Sequence, residues 1–365
     1  MKKVFTILTI CILFITISIS AEEIQTKKTT KELPTSFSWK NIDGIDYTTP
    51  IKNQAPAPTC EAYGLCASLE TLMQYQMQEL YNPDLSETHL YFYAGGTYEQ
   101  GYVNLMDAAD YLVINGTPDE GCYPDPHRAF DYPFESLSGW ENRTIKIEEW
   151  GWVEKEVETI NNALIEYGPL IICMSIYEDF YKYKEGVYRH KWGKRVGGHV
   201  VTIVGYDDNE QCWIVKNSWG DKWGDEGWFK LAYDADIFAE WYGVGTGVMY
   251  IDGVHGNFKP DVPRVEIIKP RFRKSYFFGF EFKYIFKKLP IQKAVARLIG
   301  NMFIKIKTDN TIKVEFYVDD VLQSVDESAP FQWKIDSNRG FHTLLVKAYN
   351  DHNQSIDIVD FYKFI

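Results

Sequence analysis

The sequence is short of positive charge, of paired cysteines and of long apolar runs, and each shortage excludes a class of function. Its 38 Lys and Arg stand against 51 Asp and Glu, so the 365-residue chain carries a net charge of −13. Binding nucleic acid requires a positive surface to neutralise phosphates, so that partner is excluded. The same balance predicts a soluble chain that repels anionic membranes. There are six cysteines. Cys11 lies in an apolar N-terminal run, and the remaining five, an odd number, imply at least one free thiol in an exported protein. Cys66, Cys173 and Cys212 sit in apolar, element-like sequence, where cysteine behaves as a small hydrophobe. No disulfide framework is evident, and a pair involving Cys122 stays open. His, Cys and carboxylates are nowhere clustered at ligand spacing, so neither metal nor cofactor is expected.

What the chain does have begins with "MKKVFTILTICILFITISISAEE". Lys2 and Lys3, an apolar run, and small residues before Ala21 follow the plan of a secretory signal peptide over residues 1–20. An uncleaved membrane anchor is the alternative, at the short end of spanning length. The chain is therefore expected to be secreted, or held at the cell surface. Residues 21–33, "AEEIQTKKTTKEL", are polar and expected to be disordered.

From residue 60, Ala62, Leu65, Cys66, Leu69, Leu72, Met73, Met77 and Leu80 recur at three- and four-residue steps, which predicts a helix with one buried face. Thr59 is its expected N-cap, and Pro58 resists helix upstream. Cys60 then opens the helix, where the dipole's positive end favours a thiolate. "MDAADYLVING" and "EVETINNALIEYG" read as further helices. "PLIICMSI", "GHVVTIVGY", "QCWIVKNSW" and "GWFKLAYD" read as strands. Beyond a linker at 254–263, residues 264–365 alternate short strands with turn clusters and predict an all-β, immunoglobulin-like sandwich.

Cysteine-based acyl transfer needs a thiolate, an imidazole to shuttle its proton, a group that orients the imidazole, and donors for an oxyanion. Cys60, His199 in "VGGHVVTIVGY", Asn217 in "WIVKNSWGDKWGDEGW" and Gln54 supply one candidate for each part, with Trp219 covering the bond between imidazole and amide. These stretches resemble the papain-type, cathepsin-like cysteine peptidases. The resemblance runs from "LPTSFSWKNIDGIDYTTPIKNQ" through "GWFKLAYD" and takes in "LSETHL" and "YGPLIICMSI" in order. Cys60 precedes His199 by 139 residues and Asn217 by 157, at or just beyond the roughly 130–150 given for that family.

The resemblance implies an α+β, two-lobed papain-like domain over 34–253. It makes Cys60 the nucleophile, His199 the general base and acid, Asn217 the orienting amide and Gln54 an oxyanion donor. It also places Gly101 beside the substrate backbone, and Cys173 and Val200 in the specificity pocket. Polypeptides are the implied substrates. The C-terminal domain is left for a cell-surface or extracellular ligand, and the chain is expected to be a monomer. The competing reading is a catalytically weak module that serves as a surface binding protein.

The nucleophile loop departs from the family's Cys-Gly-Ser-Cys-Trp. It reads Ala57, Pro58, Thr59, Cys60, Glu61. Ala57 removes a usual disulfide half, and Pro58 replaces a cleft-floor glycine. Glu61 puts a carboxylate where a tryptophan is usual. At roughly 8 Å its charge opposes a thiolate by about 0.5 kcal/mol in water and about 2 at an effective dielectric near 20. Imidazolium pairing outweighs that, so Glu61 is expected to weaken the pair without abolishing it. Residues 21–33 are also too short for the family's long inhibitory propeptide.

Overall fold

The computed structural model describes residues 33–97, 99–124, 136–235, 247–258, 260–282 and 295–365. The expected signal peptide and nearly all of the polar stretch after it lie outside these residues. Among the described residues four α-helices, α1 (Cys60–Met77), α2 (Glu87–Tyr93), α3 (Leu105–Ile114) and α4 (Val157–Glu166), precede or flank an eight-stranded sheet. Its order is Glu149–Trp152, Val248–Asp252, Leu170–Tyr177, Arg195–Asp207, Cys212–Lys216, Trp228–Ala232 and Val187–Tyr188, with Ser36–Ser38 paired to Arg195–Asp207. The four strands expected from the apolar runs are all present. The expected second and third helices are α3 and α4, and α2 begins within "LSETHL", where its seven residues gave too little periodicity to read.

α1 differs from the amphipathic helix expected, because it is buried nearly all round. Glu61, Ser68, Glu70 and Gln74 are as buried as Leu65 and Leu69. Such a helix is stable only if its polar groups find partners inside. Ser68 donates to the Pro169 carbonyl at 2.6 Å, and Gln74 to that of Tyr47 at 2.9 Å. Glu70 takes Lys52 at 2.8 Å and the Thr49 hydroxyl at 2.6 Å. The helix ends at Met77, where Gln78 turns left-handed with φ 51°. Met77 and Leu80, expected on the buried face, are therefore exposed. Thr59 is the N-cap by position only: its hydroxyl caps nothing and is buried without a partner.

α1 meets the sheet at a point where no side chain fits. A Cβ on Gly64 would stand 2.9 Å from Val200 Cγ1, and the Gly64 carbonyl accepts from the Thr202 hydroxyl at 3.0 Å. Glycine here sets the approach of the helix to the Arg195–Asp207 strand.

The described residues from 264 on are all-β. Seven strands form one sheet, from Phe280–Phe282 at one edge to Val321–Asp326 at the other. Ser275–Phe277, Ala296–Ile299 and Gln354–Lys363 run parallel in it. Two ribbons, Arg264–Lys269 with Lys305–Asp309 and Met302–Phe303 with Lys334–Ile335, share its core through Ile267, Met302 and Ile335. Within the expected linker, His255–Gly256 pairs back onto Ile145–Lys146.

The all-β region is fastened to the rest by Arg143. Its buried guanidinium donates to the Asp119 carboxylate, to the Gln354 carbonyl at 2.6 Å and to the Ser355 hydroxyl at 3.1 Å. Beside it, Ile356 N–H donates to the Gly121 carbonyl at 2.9 Å. Removing one partner of a buried pair strands the other. Arg143→Met is therefore expected to lower stability by about 3 kcal/mol. Limited proteolysis should release residues 264–365 sooner, and an unchanged denaturation midpoint and cleavage rate would refute this anchoring.

Candidate active site

Cys60 is the first residue of α1, and His199 and Val200 lie in the central strand that α1 packs against. The Val200 backbone N–H bonds the Cys60 sulfur, so the thiol sits against the residue that follows His199. Across the sheet Cys173 pairs with Val200 and Met174 with His199.

The imidazole is fixed in one tautomer. Its Nε2 lies 2.8 Å from Asn217 Oδ1, and the same oxygen accepts the Ser218 backbone N–H at 2.8 Å. An oxygen already accepting from Ser218 must also accept from the ring, so Nε2 carries hydrogen and Nδ1 keeps the lone pair. Trp219 lies flat on the imidazole, ring centres 4.7 Å apart, and His199 and Asn217 are both buried. Burial pulls His199 down to about 4, and the bond to Asn217 works the other way. At neutral pH the ring can take a proton and return it.

Gln54 belongs to the same assembly. Its backbone N–H donates to the Ser218 carbonyl at 2.9 Å, and Ser218 Oγ donates to its side-chain oxygen at 2.6 Å. The amide nitrogen donates to the Ala57 carbonyl at 3.0 Å. That uses one of its two hydrogens and leaves the second. Gly101 stands apart, in the turn closed by Thr97 and Tyr102 with open space around it. It connects to the site through Val103, whose N–H bonds the Glu61 carboxyl.

Glu61 is much closer than the roughly 8 Å assumed for a first-turn acid. The side chain is buried, and its Oε2 lies 3.5 Å from the Cys60 sulfur. Burial, then the Glu61 charge, push the Cys60 thiol well above its usual range, and the Val200 N–H opposes them. Burial pushes Glu61 itself up to about 7, against its own N–H, the thiol and Val103. With Glu61 ionised, the resting thiol keeps its proton and donates it to the carboxylate. With Glu61 protonated, the carboxyl becomes a donor toward sulfur and favours the thiolate.

A cluster of charges that the sequence did not reveal supports the site from behind. Lys52, two residues before Gln54, meets Glu70 at 2.8 Å and Glu87 and Asp84 at 2.7 Å. Lys216, just before Asn217, is buried and donates to the Thr49 carbonyl at 2.7 Å. Burial lowers it to about 8. The motif "PIKNQ" contains Lys52, but nothing in the string marks it as buried among carboxylates. All five described cysteines are free, Cys122 included. Among the described residues no group of His, Cys, Asp and Glu could hold a metal ion.

A family model described as "Papain family cysteine protease" matches residues 33–251. The chain belongs to the papain family of cysteine proteases. A "Gut-specific cysteine proteinase" of Caenorhabditis elegans is 28% identical over 206 residues, covering 50% of this chain and 63% of the relative. "Cathepsin B-like cysteine proteinase 3" of the same organism is 43% identical over 231 residues, 54% of this chain and 61% of the relative. Other cathepsin B-like relatives are matched over only about a quarter of their length, so the chain spans less than two thirds of these curated relatives. The bromelain protease of Ananas comosus, solved with the E64 inhibitor, aligns at a TM-score of 0.50 and 26% identity, covering 60% of this chain and 100% of that one. The papain-family match ends before the C-terminal β region begins.

Glu61 gives a stability prediction with a definite sign. Its folded value, about 7, lies above its ordinary 4.5, so the folded chain holds this proton more tightly than the unfolded chain. The resulting stability is full below pH 4.5 and is lost as pH rises through about 7. The loss is on the order of 3 kcal/mol. Glu61→Gln should flatten this part of the stability–pH curve in chemical denaturation. A wild-type slope that persists in the variant would contradict the assignment.

Proposed function

We propose that the chain is an exported cysteine endopeptidase in which Cys60, His199, Asn217 and Gln54 carry the chemistry. The observation that supports this most is the locked imidazole: one oxygen of Asn217 holds Nε2–H, and Trp219 shields the bond. Its Nδ1 takes the thiol proton as sulfur attacks the scissile carbonyl, then returns it to the leaving amine. The free hydrogen of the Gln54 amide and the Cys60 backbone N–H receive the oxyanion. Water then hydrolyses the thioester with the same imidazole as base. Cys173 and Val200 line the pocket for an apolar side chain, and Gly101 pairs with the substrate backbone.

The layout that goes with this reading has a signal peptide over 1–20, a peptidase domain over 34–253 and an immunoglobulin-like sandwich over 264–365. No helix among the described residues is long and apolar enough to cross a membrane. The shared core between sheet and ribbons supports a sandwich. One observation favours the second reading, a weak peptidase retained as a surface binding module: the carboxyl beside the thiol opposes the thiolate.

Labelling with E64, the inhibitor named for the bromelain complex, separates the two readings. The expected result is stoichiometric modification of Cys60 at mildly acidic pH. Labelling and peptide hydrolysis should both vanish in Cys60→Ser and fall by about 10²–10⁴ in His199→Ala. Absence of labelling across the acidic and neutral range under reducing conditions would sink the enzyme reading.

A further inference from the structure

The net charge of −13 predicts repulsion from anionic surfaces, but it hides a local reversal in the C-terminal region. Described residues 264–282 and 295–307 hold eight Lys and Arg against only Glu266 and Glu281. Some of this charge is arranged where it destabilises the fold. Lys305 lies directly opposite Lys269 across the ribbon, and like charges facing each other there are unfavourable. On the same strand run, Phe303 and Lys305 are exposed and alternate with the buried Met302 and Ile304. Lys334 stands directly across from Phe303.

Beside these lysines is an exposed aromatic turn. Ser275–Phe277 and Phe280–Phe282 form a hairpin whose two turn residues are Phe278, at φ 45°, and Gly279, at φ 86°. Left-handed turn positions of this type usually hold Asn, Asp or Gly, so a phenylalanine at the first is strained, and its ring is only half covered, by Gly300 and Phe277. Phe277 is 53% exposed, Phe278 54%, Phe280 79% and Phe303 61%. The Phe278 N–H donates to the Ile299 carbonyl at 2.8 Å, and the Gly279 Cβ position lies 3.5 Å from Met302 Cβ. The turn therefore stands next to Met302–Phe303, and the four rings belong to one end of the β region. Single exposed apolar residues need no explanation, whereas a group of this kind marks an interaction surface.

We propose that this face docks the chain on an anionic lipid bilayer. The Phe277–Phe280 turn and Phe303 enter the headgroup layer, and Lys305 and Lys334 lie against lipid phosphates. An interface of this kind rewards apolar area and positive charge together. A soluble polyanion would reward the lysines alone. A second copy of the chain, docked face to face by symmetry, would set the same positive charges against each other.

The test uses the full chain and floats it with phosphatidylcholine vesicles, with or without phosphatidylglycerol. Wild type should float only with the anionic vesicles and be released by salt. Phe280→Ser and, separately, Lys305→Glu should each weaken binding by about fivefold or more, with peptide hydrolysis in solution unchanged. Phe280 is the most exposed of the four rings, and Lys305→Glu tests the same face without touching them. No flotation with anionic vesicles overturns the proposal. So does equal binding after Phe280→Ser, which would mean a purely electrostatic contact. A wild-type dimer in sedimentation that Phe280→Ser converts to monomer also overturns it, in favour of self-association.

Discussion

The helix that begins with Cys60 must come close enough to a sheet strand for its first residue to reach the residues beside His199. The missing side chain at Gly64, against Val200 Cγ1, is what permits that approach. Thr202 then holds the helix carbonyl at the same point. From this contact follows the burial of α1 on nearly all sides, and from the burial follows the need for internal partners. Lys52, Thr49 and Tyr47 answer the carboxylate and amides of the helix. Thr49 also receives Lys216, which precedes Asn217. The buried charges thus hold the nucleophile loop, the helix and the Asn217 loop in one frame.

Within that frame the thiol has two competing neighbours. The Val200 N–H favours a thiolate, and Glu61 in its ionised form opposes one. The family's tryptophan at this position could not titrate. A carboxyl at 3.5 Å can, and its own burial moves the change from the acidic range toward neutrality. The result is a thiol whose ionisation depends on the protonation state of its nearest neighbour.

The sequence showed the main architecture because its strands are unbroken apolar runs and its helices end at glycines such as Gly116 and Gly168. The residues it proposed for the site, Gln54, Cys60, His199, Asn217 and Trp219, fall in ordered motifs, and the structure joins His199 to Asn217 and Trp219 and links Gln54 to the neighbouring Ser218. Three things were not legible. The burial of α1 was hidden because its inward polar residues look like a solvated face until Lys52 and Thr49 are placed beside them. The short reach of Glu61 was hidden because adjacency along a helix does not say which way a side chain turns. The basic, aromatic end of the β region was hidden by the net charge, which averages over a chain whose acidic residues lie elsewhere.

We propose Cys60 as the nucleophile, with a thiolate that the neighbouring Glu61 carboxylate opposes. The pH dependence of its alkylation by iodoacetamide measures that thiolate directly. An isolated thiol reacts faster as pH rises toward its ordinary value near 9. With the Glu61 carboxylate 3.5 Å from the sulfur, Glu61→Gln is expected to move this profile to lower pH, because the charge that opposes the thiolate is gone. A profile unchanged in Glu61→Gln would contradict the proposal.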